Sequence, residues 1–468
     1  MLLSERLQSP AQRTCSEILL NLCAALDRAG VDWCVPHGYA TYPEDVDPDD
    51  LDLLIRPEHV HDVPQVLAHL PGTQLVQFRV HNGGTSTRYD VVASTPERMP
   101  VVFGIDVSSD IRDLGVVLFR CEEFFAGRRR FKNLFWVPQP SVEFIHYLLK
   151  KLGKSGVLGS DAIDAQQGAC LSRLYRDDPE GCRKQLARFF PRNEARLVAD
   201  AAGRQCWDGV RARLAGLRRA AARKTRLAHP GDLVRYWIGD LTRGTQRVLQ
   251  PPGLTVAFLG LDGSGKSATI ERTADALRLL FSSVQRYHIR PSSSEPAPDG
   301  LPAAPCHDEP PRGPILSLVK LGLWWADYWV TYVLNVVPRL RRPGFVLFDR
   351  YYDDLLVDPR RYRFGGSLRV ARFVGRHVPR PDLIIFLDAP PQLARTRKPG
   401  VGLEEAIRHR DAYISLVRGL GGGHVVDASR SLDEVTRGVE RIILGHLRER
   451  TARRLGVVRA GRGPIPSL

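Results

Sequence analysis

Among its eight cysteines the chain has no CxxC pair, and no Cys/His spacing suits zinc. That excludes a disulfide framework and a structural zinc site as the devices that hold the fold, and a reducing cytoplasm fits best. The N-terminus, MLLSERLQSPAQR, has acidic and polar residues where a signal peptide needs an apolar run, so export is not expected. No internal repeat is present. Nor is there an uninterrupted apolar run of membrane-spanning length. The nearest, ILSLVKLGLWWADYWVTYVLNVV at 315–337, is broken by Lys320 and Asp327, a costly pair in lipid. It reads as a buried helix, and no transmembrane segment is expected.

What is present is length, apolar content and positive charge. With 468 residues and 43% hydrophobic content, the chain can bury at least two cores, which predicts a multidomain soluble protein. The formal net charge is +15, carried mostly by arginine. Guanidinium suits bidentate contact with phosphate or carboxylate, so phosphorylated or polyanionic ligands are favoured. Solvated surface charge is the competing explanation for the excess. A nucleic-acid-binding module with ATP as a switch ranks last of three readings, since no RNA or DNA motif accompanies the charge.

Three segments follow from the pattern. Residues 1–154 mix a helix signal (CSEILLNLCAALDRAG) with strand signals at VDWCVPHG, LDLLI, RYDVVAS and VVFGIDVS. Residues 155–250 lose the strand signal and read as a basic helical connector. PPG at 251–253 opens the third segment, 251–468. There LTVAFLG reads as a buried strand, followed by a glycine-rich loop and a helical run. FVLFD, LIIFLDA and HVVDAS have the length of central parallel strands. The fold class is α/β, with a parallel sheet flanked by helices in the C-terminal part and an α+β N-terminal domain. Residues 291–314 are proline-rich and read as a mobile surface segment.

Residues 260–267, GLDGSGKS, fit G-x-x-x-x-G-K-[ST], with a strand before and a helix after. In such a loop Gly260, Gly263, Ser264, Gly265 and Ala268 surround the phosphates of ATP. Lys266 reaches the β and γ oxygens, and Ser267 is a ligand for Mg²⁺. The loop names the phosphoryl donor and leaves the acceptor open. Asp349 and Arg350 end a predicted core strand, where an acid can hold Mg²⁺ or its water shell and an arginine an acceptor phosphate. Arg395, Arg397 and Lys398 follow another strand and could close over the transferring group.

These segments in this order, FLGLDGSGKSA, DRYYDD, PDLIIFLDAPPQLARTRK and VVDASRSLDEV, resemble a thymidylate kinase over residues 254–445. The resemblance implies a P-loop phosphotransferase using ATP and Mg²⁺. It places Asp262 against the acceptor's sugar hydroxyl, Arg350 and Arg290 in the acceptor site, Arg395 or Arg397 on the transferring group, and Asp427 and Ala428 beside the donor adenine. It also implies a homodimer through kinase helices. One departure bears on specificity: where the family carries a Ser- and Gln-containing helix that reads thymine, this chain runs YDDLLVDPRRYRFGG. The expected acceptor is therefore a sugar or another nucleotide.

In VPHGYATYPEDVDPDDLDLLI, strand alternation puts Asp50 and Asp52 on one face, and Asp106 in VVFGIDV offers a third carboxylate for a shared divalent metal. This resembles the nucleotidyltransferase fold, with Tyr39 in place of its usual serine. A nucleotidyltransferase with an accessory kinase half is accordingly the second reading of the whole chain. A surface acidic loop beside a core strand explains the same residues without function.

Overall fold

The computed structural model describes residues 9–49, 51–81, 86–93, 100–113, 116–154, 163–226, 250–288, 310–398 and 401–457. Asp50, Arg290 and most of the proline-rich run at 291–314 lie outside these. The chain divides into two compact units, residues 1–244 with 451–468, and residues 245–450.

The first unit opens with helix Pro10–Arg28. Ser9 caps it by accepting from the Gln12 N–H while the Gln12 side chain accepts from Ser9 N–H, so two otherwise orphaned donors are satisfied. Its buried residues Leu19, Leu22 and Leu26 recur at helical spacing and face a mixed sheet. That sheet comprises β1 (Trp33–Cys34), β2 (Leu51–Ile55), β3 (Thr73–His81), β4 (Ser86–Ala93) and β5 (Val101–Ser108), in the order β1-β2-β5-β4-β3. Only the β2–β5 pair is parallel. Its register sets Asp52 directly opposite Asp106. Two short hairpins follow, β6–β7 (Ile111–Asp113, Val116–Phe119) and β8–β9 (Arg129–Phe131, Phe135–Val137). Helices Pro140–Lys154, Ala165–Asp177, Pro179–Phe189, Arg192–Arg204 and Leu214–Arg226 then share a second apolar core containing Phe144, Leu171, Leu186, Val198 and Leu217.

The second unit is built on five parallel strands: β10 (Leu254–Gly260), β11 (Ser283–His288), β12 (Gly344–Asp349), β13 (Leu383–Asp388) and β14 (Gly423–Asp427). Their order is β11-β12-β10-β13-β14, with every neighbouring pair parallel. All seven residues of β10 are buried, as a central strand covered on both faces by helices must be. The order in which strands are added switches sides at β10, with β11 and β12 on one side of it and β13 and β14 on the other, while all strands keep the same direction. The carboxyl ends of these strands are where open α/β sheets leave a crevice.

One expectation is overturned here. Helix Pro314–Thr331, read as a buried helix, buries only Ser317, Leu321 and Tyr328 among its own residues. Ile315, Leu316, Val319, Leu323 and Val330 are exposed. The apolar content spreads round the helix, so one stripe suffices to pack it and the remainder faces solvent. No helix among the described residues is long and apolar enough to cross a membrane.

Candidate active site

The loop after β10 turns sharply because two glycines adopt the left-handed conformation, with φ of 81° at Gly263 and 87° at Gly265. Gly263 is further constrained by space, since a Cβ there would lie 2.1 Å from the carbonyl oxygen of Ala394. Gly265 caps helix Lys266–Ala276, whose first-turn N–H groups therefore face the loop. The Oγ of Ser264 is buried and has no hydrogen-bond partner among the described residues.

Lys266 is 8% exposed and folds back to donate to the carbonyls of Gly260 and Leu261 at 2.9 and 2.8 Å. Burial, aided by the charge of Arg350, pushes its ammonium down to about 7, against the pull of Asp262, Asp349 and Asp354. Ser267, next on the helix, donates its hydroxyl to Asp349 Oδ2 at 3.2 Å. Arg286 of β11 donates to the same oxygen at 2.7 Å. Burial opposes the charge on Asp349, yet Lys266 and Arg286 outweigh it and hold the carboxyl below the usual range. A hydroxyl and a carboxylate oxygen at this spacing form the hard oxygen donor set that suits Mg²⁺.

Arg350, directly after β12, has φ of 73°, an uncommon conformation for a non-glycine residue. Its N–H donates to Phe258 O at 2.9 Å, tying the turn to β10. The guanidinium, 5% exposed, donates to Asp354 at 2.7 Å and to Asp262. Asp354 is fully buried and also accepts from the phenols of Tyr362, at 2.7 Å, and Tyr413. A second guanidinium, Arg361, pairs with the other oxygen of Asp262. Burial would raise the Asp262 carboxyl, but Arg350, Arg361 and Lys266 prevail and hold it well below the ordinary range.

Asp262, Arg350, Arg361 and Tyr413 border a cleft that also receives Asp358, Arg395, Lys398 and His409. Of the two arginines flagged after β13, Arg395 lines the cleft and Arg397 does not; it is exposed at the end of helix Pro391–Arg397. Ala268 is exposed on the helix that follows the loop. Asp427 ends β14 and accepts from the N–H and hydroxyl of Ser429 at 3.0 and 2.6 Å. Ala428 is buried, with its N–H bonded to Asp388 O at 2.9 Å. Arg361 was named in the sequence only as a departure from a pattern. Asp354 and Tyr362 stand inside the quoted DRYYDD and YDDLLVDPRRYRFGG segments without being singled out, and Tyr413 and Arg410 lie in no motif; Arg410 forms a two-armed pair with Asp388 at 2.5 and 2.7 Å.

In the first unit, Asp52 and Asp106 stand side by side, each already facing protein cations. Asp52 accepts from Lys150 at 2.7 Å and has His37 at 3.3 Å, and Arg88 lies 3.5 Å from Asp106. Burial, reinforced by Asp52 and Asp90 and opposed by Arg88, pushes the Asp106 carboxyl up to about 6. Tyr39 is turned into the core, where its phenol donates to Glu143. Among the described residues no group of three or more His, Cys, Asp and Glu side chains is placed to hold a metal ion.

No family model matches the chain. It is similar to the thymidylate kinase of Xanthomonas euvesicatoria pv. vesicatoria (strain 85-10), 29% identical over an alignment of 214 residues that covers 43% of this chain and 88% of that protein. The thymidylate kinase of Xanthomonas oryzae pv. oryzae (strain PXO99A) is 28% identical over the same length and shares. A probable thymidylate kinase of Staphylothermus marinus is 32% identical over 130 residues, 26% of this chain and 64% of that protein. The chain thus carries a kinase-like region that spans less than half of it.

Proposed function

We propose that residues 251–468 are an ATP- and Mg²⁺-dependent phosphotransferase that resembles thymidylate kinase and acts on an acceptor other than thymidylate, either a sugar or another nucleotide. The observation that carries this reading is Lys266, a buried ammonium at the mouth of the central strand, hydrogen-bonded among the described residues to two loop carbonyls and set against the Asp262–Arg350–Arg361 cluster.

ATP phosphates would take the place of the Gly260 and Leu261 carbonyls as partners of Lys266, and their charge would restore its ammonium form. Gly260, Gly263, Gly265 and Ala268 leave room for them, and Ser264 Oγ gains the partner it lacks. Ser267 and Asp349 would hold Mg²⁺, which would supply charge neutralisation on the transferring group. Asp262 accepts from an acceptor hydroxyl, while Arg350, with Arg290 beyond the described residues, orients an acceptor phosphate. Arg395 faces the cleft and can neutralise charge that develops between donor and acceptor; Arg397 would need the segment to move. Asp427 and Ala428 flank the donor base in this reading. The Ser- and Gln-containing pattern with which the family reads thymine is replaced here by YDDLLVDPRRYRFGG, which is why thymidylate is not the acceptor proposed.

The direct test is incubation with ATP and Mg²⁺ against nucleoside monophosphates, sugars and sugar phosphates, following ADP formation. Turnover that survives Lys266→Ala contradicts the proposal.

A second reading concerns residues 1–154, a nucleotidyltransferase-like domain joined by residues 155–250. Its support is the pairing of Asp52 with Asp106 across β2 and β5. Pyrophosphate release that persists in Lys266→Ala and is lost in Asp52→Ala would favour it.

A further inference from the structure

The exposed half of helix Pro314–Thr331 is apolar without exception. At about 100° per residue, Ile315, Leu316, Val319, Leu323, Trp329 and Val330 fall on one continuous face, and all six are exposed. Lys320 and Asp327, the two charges of the segment, fall at its border and are half-buried. The turns that follow extend the face with exposed Val333 and Leu334. A contiguous surface of this kind marks an interaction site. The opposite stripe is fixed by packing, and the indole N–H groups of Trp325 and Trp329 both donate to the carbonyl of His377, at 3.1 and 2.7 Å. The face is therefore held in place by its own unit.

What could cover it is decided by charge. Helix Leu368–Gly375, joined to the first through those indole bonds beyond its C-terminus, adds exposed Val370 and Phe373, with exposed Arg369 and Arg372 beside them and Arg376 at its end. Arg341 and Arg342, exposed, follow the far end of the apolar face. From 314 to 382 the only exposed carboxylate among the described residues is Asp382, and it is occupied by the N–H and hydroxyl of Thr255 at 2.8 Å. A second copy of this chain would bring a rim of the same sign against this one. An anionic lipid surface would match both features, the apolar face entering the acyl boundary and the arginines meeting headgroups. Indoles at the edge of such a face are suited to the same boundary.

We propose that residues 314–334, with helix Leu368–Gly375, form a docking surface for an anionic membrane, on which the kinase-like unit lies without spanning it.

The test is flotation of the full chain with vesicles of phosphatidylcholine alone and of phosphatidylcholine with phosphatidylglycerol. The proposal expects flotation with the anionic vesicles, reversed by salt. Leu323→Glu with Val330→Glu should abolish it, and Arg369→Gln, Arg372→Gln and Arg376→Gln should weaken it by about fivefold per arginine. Because these side chains are exposed and lie outside the cleft, circular dichroism should match the parent chain. Absence of flotation, or flotation untouched by the two glutamates, overturns the proposal. So does a solution dimer by light scattering that the two glutamates disperse, since the face would then belong to a second copy.

Discussion

Lys266 carries the largest share of the account at the level of single side chains. Its ammonium titrates near 7 in the free protein and at about 10.4 in an unfolded chain. Between those values the unfolded chain binds the extra proton, so this residue's contribution to stability rises with pH; below 7 the full cost of a buried charge is present. Lys266→Met should accordingly raise stability by about 1–2 kcal/mol at pH 6–7, read as a higher urea midpoint, with the gain shrinking as pH climbs towards 10. A gain that is constant with pH would show that the lysine is not buried as described. The same substitution should remove ATP-dependent turnover. Arg361 offers a finer prediction: its partner Asp262 faces the cleft, so Arg361→Ala should raise KM for the acceptor by about tenfold, on the order of one charge-assisted hydrogen bond, and leave KM for ATP within about twofold. Equal effects on both substrates would place Arg361 in the shared framework.

Elements explain which parts of the molecule could be read in advance. LTVAFLG, FVLFD and LIIFLDA appear as β10, β12 and β13 because central parallel strands are continuous apolar runs; HVVDAS supplies β14, an edge strand that buries only Val426. β11 gave no signal: it is an edge strand whose Ser283, Val284 and His288 are exposed, so no apolar run marks it. β3 was missed for a related reason, since Gln74, Arg79 and His81 interrupt its pattern. The phosphate loop was legible because local backbone geometry demands glycine at fixed spacing. Gly263→Ala puts this to the test: with φ of 81° and a backbone oxygen 2.1 Å from the new Cβ, it should destabilise by about 1–3 kcal/mol and weaken ATP binding, both measurable by calorimetry. Gly265→Ala meets no atom within 4 Å and should cost less. The Asp354 cluster was not legible, because Tyr362, Tyr413 and Arg350 converge from separate segments. Nor was the exposure of helix Pro314–Thr331, because an apolar sequence reports composition and only the packing decides which stripe is covered.

On the scale of the whole chain, two units with distinct cores carry two separate sets of charged side chains. In the first, Asp106 titrates near 6 while paired with Arg88 across β4 and β5, and any activity that needs its carboxylate form should fall as pH drops through 6. Loss of that activity in Asp52→Ala with ADP formation retained would show that the units work independently. In the second, a cleft is lined by Asp262, Arg350, Asp358, Arg361 and His409. The measurement that bears most directly on the central claim is ADP formation by the full chain and by Lys266→Ala, with ATP and Mg²⁺, across thymidylate, other nucleoside monophosphates, sugars and sugar phosphates. The account predicts turnover with a sugar, a sugar phosphate or a nucleotide other than thymidylate, abolished in Lys266→Ala. Turnover with thymidylate alone, or turnover that survives the loss of Lys266, would contradict it.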